Sequence, residues 1–289
     1  MKSGPFPWLV WVIILDVLSS GAAETNRPDC VGIRLGMSLA EARERLQRCE
    51  PKLEIQTAEL QIPELGANPV PEILYGVRMP PSRTGALPAM DPIEPLQAAI
   101  TLPPNKPVVW KVVRSLRFEP GRKQSKSALL GTLHDKYGKE SLTLDQATGK
   151  VTCFWVLQPD GKPLEGQAAQ GCSTFCQRNF MNSLALDDAL ARGGNKELTD
   201  KLRTTVFLAG IGNRQAVLVD SYCSTLTYIV AEFSVGANPQ LVNQMRVALI
   251  DAPLHRIAAG ATETMINEAK AARAKQDADK ATEQPTPKL

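Results

Sequence analysis

Histidine is nearly absent from this chain of 289 residues: there are two, His134 and His255. Each follows a leucine in a stretch of helical spacing, and neither belongs to a metal-binding pattern such as His-Glu-x-x-His. A Ser-His-Asp site would have to recruit one of them, and no Gly-x-Ser-x-Gly elbow is present. Gly210-Ile211-Gly212 lacks the rest of a dinucleotide or phosphate loop. Paired carboxylates occur at Asp187-Asp188 and at Asp277 and Asp279, where solvated faces are expected rather than two acids across a cleft. Net charge is scarce too: 33 Lys and Arg against 30 Asp and Glu leave +3, a balance that argues against a nucleic-acid binder. No catalytic residue, metal or cofactor is therefore assigned.

What is present begins with a leader. Lys2, the apolar run Trp8 to Leu15 and the small residues Ser19 to Ala23 outline a secretory signal peptide over residues 1–23, with cleavage after Ala22 or Ala23. The run is shorter than the roughly 20 apolar residues a bilayer span needs, so no transmembrane segment is expected in the mature chain. Cys30 follows Arg-Pro-Asp rather than a small apolar box, which speaks against lipid anchoring. A periplasmic or secreted location follows. Export changes how the six cysteines read, because an even number in an oxidising compartment favours disulfides over metal or catalytic thiols.

Cys30, Cys49, Cys153, Cys172, Cys176 and Cys223 are all disulfide candidates. Cys30 precedes a helix that Cys49 closes, and a bridge between them is worth about 3 kcal/mol in the chain-entropy picture. Cys172-x-x-x-Cys176 is one residue longer than the redox Cys-x-x-Cys motif. Cys223 is expected to pair with Cys172 or Cys176, and Cys153 with the other, for up to three bridges. A zinc site from these thiols is disfavoured in an oxidising compartment.

The chain is organised around Val108 to Leu142, where a strand runs into a turn and then a helix. Val108, Trp110, Val112, Leu116 and Phe118 alternate as one apolar face, broken by Arg114, so a strand with one buried face is expected. Glu119-Pro120-Gly121 ends it. Ser125 or Ser127 then caps a helix carrying Leu129, Leu130, Leu133 and Tyr137, and Gly138 stands at its C′ position. Upstream, Ser38-Leu39-Ala40-Glu41 is a capping box opening a helix with Leu39, Ala42, Leu46 and Cys49 on one face. Strands are expected near Leu53–Thr57 and Ile73–Met79. The prolines from Pro80 to Pro107 rule out a regular element through most of that loop. Val151–Leu157, Ala216–Tyr222, Leu226–Val235 and Met245–Ile250 read as strands, the last three as an antiparallel meander. Short helices are expected at Leu184–Leu190 and Glu197–Leu208. Asp251-Ala252-Pro253 starts a helix with Leu254, Ile257, Ala258, Ala261, Met265 and Ile266 on one side. An exposed apolar stripe there would mark an oligomer contact.

The run Val31-Gly32-Ile33-Arg34-Leu35-Gly36-Met37-Ser38-Leu39-Ala40-Glu41-Ala42 resembles the opening of the small periplasmic family that includes BamE. The helix-then-strands plan is similar to the β-lactamase inhibitor protein fold, and the chain is similar overall to exported bacterial proteins. Ser125 to Gly138 followed by Val151 to Leu157 reads as a second copy of that plan. The resemblance implies a helix-plus-antiparallel-sheet fold and a scaffold or binding role in the bacterial envelope, and it transfers no catalytic residue.

The fold class expected is thus α+β: antiparallel sheet with a few packed helices, a tandem helix-plus-strands repeat, stapled by disulfides. The division is a unit over 24–120 with a proline-rich loop at 80–107, a second unit over 121–268, and a frayed or disordered tail over 269–289. The least ordinary feature is charge. Lys111, Arg114, Arg117, Arg122 and Lys123 crowd one strand and its turn, as a docking surface for an anionic protein or envelope component, or as lysines guarding an edge strand. The alternative to a binding protein is an enzyme whose site lies in the loops around Cys172 and the proline-rich stretch.

Overall fold

A computed structural model describes residues 28–51, 53–66, 68–78, 94–118, 121–146, 149–181 and 222–283. The leader, the strand expected at Ala216–Tyr222 (except Tyr222 itself) and the helices expected at Leu184–Leu190 and Glu197–Leu208 lie outside them. A short hairpin, β1 (Asp29–Cys30) and β2 (Ile33–Arg34), leads into α1 (Leu39–Cys49). Four strands follow: β3 (Glu54–Leu60), β4 (Val70–Arg78), β5 (Glu94–Ile100) and β6 (Val109–Arg117). Then come β7 (Gln124–Ser125), α2 (Lys126–Tyr137), β8 (Leu142–Gln146), β9 (Lys150–Leu157), α3 (Gly166–Cys176), β10 (Thr227–Val235), β11 (Leu241–Asp251) and α4 (Ala252–Glu283).

The strands join in one antiparallel sheet ordered β3-β4-β5-β6-β11-β10-β9-β8, with β7 beside β11. Each half is a capped helix followed by four strands in meander order, so the tandem plan is realised. The correspondence extends to single residues. Ser38 caps α1 and bridges Val108; Ser125 caps α2 and pairs with Leu241. The next amide in each case bonds just ahead of that half's last strand, Leu39 N to Pro107 O at 3.2 Å and Lys126 N to Gln240 O at 2.9 Å. Laying Val108 on Leu241 lays Arg114 on Val247, and those two are cross-strand partners where β6 meets β11. A junction pair that maps onto itself is what a two-fold relation between the halves requires. The division expected between residues 120 and 121 falls in the β6–β7 turn, but the sheet crosses it unbroken.

One sheet face is covered by both helices. Ala42 and Leu46 of α1 and Leu133 of α2 pack with Leu74, Leu96, Val112, Leu249, Ile229, Cys153 and Trp155. The Ser38–Glu41 capping box is formed, with Ser38 N donating to Glu41 Oε2 at 2.9 Å. Trp155, 1% exposed, donates its indole N–H to the Gly138 carbonyl at 2.7 Å and meets Tyr137 edge-on. Gly138 itself has a positive φ of 79°, which residues with side chains rarely adopt.

The opposite face is covered over part of its area by α3 and the π-helical turn Gln177–Met181. Cys172, Cys176 and Phe180 pack there on Val113, Phe154, Val156, Tyr228, Val230 and Ile250. A disulfide joins Cys172 to Cys223 across 51 residues, one of the two pairings open to Cys223. Cys153 points to the other face of the sheet, among the residues under α1 and α2, so the expected bridge from it to Cys176 is not formed; the sheet separates them. Cys30 and Cys49 are also thiols, not the expected bridge. Cys30 is buried, while Cys49 ends α1 with its Sγ over Gly32, 2.9 Å from where a side chain would start.

Several sequence expectations are corrected. Strand β6 is buried on both faces, because it lies inside the sheet between β5 and β11; lysines on it cannot be guarding an edge. The proline-rich stretch yields a strand, β5, since Leu96 to Ile100 is free of proline and Pro95 sits near its start, where a missing amide is tolerated. The tail does not fray at residue 269. Helix α4 continues to Glu283, carried by Ala, Lys, Arg, Gln and Glu, which favour helix without an apolar face. Ile257 is 62% exposed; the buried stripe of α4 is Ala258, Thr262 and Ile266 at four-residue spacing. With Tyr222, Ile257 makes up the exposed large apolar side chains among the described residues, so α4 presents no oligomer stripe.

Helix α4 starts at the end of β11, where Asp251 Oδ1 accepts from Leu254 N at 2.8 Å. It then crosses to the first half: Thr262 donates to the Pro103 carbonyl at 2.6 Å, and Ile266 packs on Leu60 and Ile62. Beside α2, Glu140 accepts hydrogen bonds from Thr143 and faces His134 Nε2. Burial works against its charge, but bonds from its own backbone amide, Thr143 and His134 outweigh it and hold the carboxyl below its ordinary 4.5. A carboxyl lowered in the fold adds stability above the unfolded value, and that stability disappears as pH falls through the folded one. Glu140→Gln should therefore lower the melting temperature at neutral pH, with the gap to the wild type closing as pH drops below about 4. A gap that persists unchanged in acid would show that Glu140 acts through packing alone.

Candidate functional site

The face carrying α3 is not apolar throughout. Following the pairing of β6, β11, β10 and β9, three cross-strand rows lie side by side on it. The first is Val113, Ala248, Val230 and Phe154, part of the apolar cluster under α3. Two residues along each strand comes Ser115, Arg246, Glu232 and Thr152, and two further comes Arg117, Gln244, Ser234 and Lys150. The apolar face thus gives way, in one step, to eight polar side chains on four adjacent strands. Three are cationic and one is a carboxylate.

The inner polar row is withdrawn from water. Ser115, Glu232 and Thr152 are 4%, 8% and 0% exposed, and the Arg246 side chain is 14% exposed. A carboxylate so placed requires cations. Lys150 Nζ stands 2.6 Å from Glu232 Oε1 and Arg246 Nη1 3.5 Å from Oε2, so each oxygen faces its own positive charge. Arg246 Nε also donates to Ser115 Oγ at 3.4 Å. Thr152, the cross-strand neighbour of Glu232, has a buried hydroxyl with no hydrogen-bond partner. In the outer row Arg117 and Ser234 are exposed and Gln244 and Lys150 half-buried.

The five basic residues singled out from the sequence do not form one surface. Arg114 is on the helix-covered face and pairs with Glu50 at 3.5 Å, which answers why an arginine interrupts that apolar alternation. Lys111 is 5% exposed beneath α3, with its ammonium 5.9 Å from the Trp110 ring. Arg117, Arg122 and Lys123 are exposed together, at the end of β6 and in the turn after it. Sequence reasoning missed Arg246, Lys150 and Glu232. A signal was available in Glu232, a lone carboxylate within the apolar run Tyr228 to Val235.

The cysteines offer little chemistry here. Cys172 is tied in its disulfide, and burial pushes the Cys176 thiol far above its ordinary value, so neither presents a thiolate to a substrate. Of the proline-rich stretch named for the alternative enzyme site, residues 80–93 lie outside the described residues. Among the described residues no group of three or more His, Cys, Asp or Glu is placed to hold a metal, and no helix is long and apolar enough to cross a membrane.

The fold and the site together define an α+β protein made of two helix-plus-meander halves, with a disulfide and a charged patch at the junction strands. No family model matches the chain, and neither a curated protein nor a solved structure matches it.

Proposed function

We propose that this is an exported binding or scaffold protein of the bacterial envelope, without catalytic activity, that docks an anionic partner on the polar patch of its sheet. The observation that carries the reading is the double polar row, where four central strands bring Arg117, Arg246 and Lys150 together around Glu232. Arg122 and Lys123 add positive charge beside it. Export is supported by the leader-like first residues and by the Cys172–Cys223 bridge, which persists where thiols are oxidised. The partner is a protein or envelope component; a net charge of +3 gives no broad footprint for nucleic acid.

Salt-dependent retention on isolated envelope fractions tests this. Changing Arg117, Arg122 and Lys123 together to serine should weaken retention about three- to tenfold at low salt and flatten its salt dependence. Unchanged retention would remove the patch from the function.

A further inference from the structure

We propose that the outlying part of α4 is an interaction surface for a second copy of this chain, laid antiparallel along it. The inference is independent of the polar patch. Helix α4 is held to the body as far as Ile266, which packs on Leu60 and Ile62, and Lys270, whose Nζ stands 3.5 Å from Glu64 Oε1. It then runs on to Glu283, and every residue from Lys270 to Thr282 is exposed. At 1.5 Å per residue this is about 20 Å of helix, without the packing from which most helices in proteins draw their stability.

The charges on that stretch complement the same stretch reversed. Arg273 and Lys275 precede Asp277 and Asp279, and among the described residues none of the four is in an ion pair. Within the helix they stand four apart with the cation first, the weaker order for such pairs. A two-fold axis level with Gln276 places Asp277 of one copy near Arg273 of the other and Lys275 near Asp279, and symmetry repeats both pairs. A parallel copy in register would instead set like charges level with one another. The side facing the copy is small: Ala271, Ala274, Ala278 and Ala281 fall together at helical spacing, which lets two axes approach to about 8 Å. By the same spacing Ala258, Thr262 and Ile266, which are buried against the body, lie on another side and leave this one open. Lys280 breaks the charge order, but it lies away from the alanines. Large apolar side chains take no part, since α4 exposes none beyond Ile257; the contact is one of charge and close approach.

Pairing on small side chains and surface charges is weak, with a dissociation constant on the order of 100 μM. Sedimentation equilibrium of the purified mature chain should show monomer and dimer exchanging over the micromolar to millimolar range, with the dimer fading as salt is raised. Arg273→Glu with Lys275→Glu should weaken the dimer about tenfold, and so should Asp277→Lys with Asp279→Arg. An equal mixture of those two variants should recover wild-type association, because every pair across the mixed dimer is then opposite in charge. Ala274→Glu should weaken the dimer, whereas Ala272→Glu, on the side away from the contact, should leave it nearly unchanged; glutamate favours helix at both positions. A chain that stays monomeric throughout that range overturns the proposal. A dimer that survives both charge variants overturns it as well, because it would use another surface. Failure of the mixture to recover would overturn the antiparallel pairing across these residues.

Discussion

Replacing Trp155 by alanine is expected to destabilise the protein by about 4 kcal/mol, within the range seen when a large buried aromatic is truncated. Three losses coincide at that position. The indole is almost wholly buried under α2 among Leu133, Cys153 and Ile229. Its N–H satisfies the carbonyl of Gly138, the residue that turns the chain out of α2. Its ring also meets Tyr137 at 5.9 Å and His134 at 6.5 Å, both on α2. Trp155→Phe separates these contributions, because it keeps most of the packing and removes the hydrogen bond; about 1 to 2 kcal/mol is expected. Urea denaturation followed by far-ultraviolet circular dichroism measures both. A Trp155→Ala loss below about 1 kcal/mol would mean that the second half does not depend on this anchor.

An effect of similar size is expected from opening the disulfide. Cys172 and Cys223 close a loop spanning 51 residues, and the loss of that constraint on the unfolded chain is worth about 4 kcal/mol in the chain-entropy picture. Cys172→Ala combined with Cys223→Ala should show it, and the wild type under reductant should fall to nearly the same stability. The site of the damage is specific. The bridge ties α3 to the 3₁₀ turn Tyr222–Thr225 that leads into β10, while Tyr228 donates to the Cys223 carbonyl at 2.6 Å. Hydrogen exchange should therefore rise first in α3 and at the start of β10, leaving α1 and β3 to β5 protected. Exchange spreading evenly over the sheet would contradict this placement.

Much of the frame was readable from residues alone, and the reasons are local. The Ser38–Glu41 box, the Ser125 cap with Gly138, and the Asp251 start of α4 are chemistry contained within a few consecutive residues, so the sequence predicts them with their positions. The repeat was also visible, because a capped helix followed by alternating apolar runs recurs. What did not show was sheet order. Nothing in Val109 to Arg117 says that its neighbour is β11, more than a hundred residues away, yet that pairing decides that both faces are buried. Alternation along the strand alone sends Lys111 and Arg114 to opposite sides. The polar rows failed to appear for the same reason as sheet order did: Ser115, Arg246, Glu232 and Thr152 come from four separate strands and become neighbours only through register. Cys153 illustrates the cost most simply, since a thiol's partner depends on which side of the sheet it faces.

Arg114 stands where the two halves meet, facing Val247. In a symmetric pair of identical chains the residue on that axis would face its own copy, and two arginines opposed across neighbouring strands repel. Joining the halves into one polypeptide frees the position from self-confrontation. One half carries a guanidinium that reaches Glu50 beyond the end of α1, while the other supplies a neutral valine. A single polypeptide can in this way hold one charge at its centre where a symmetric pair would hold two.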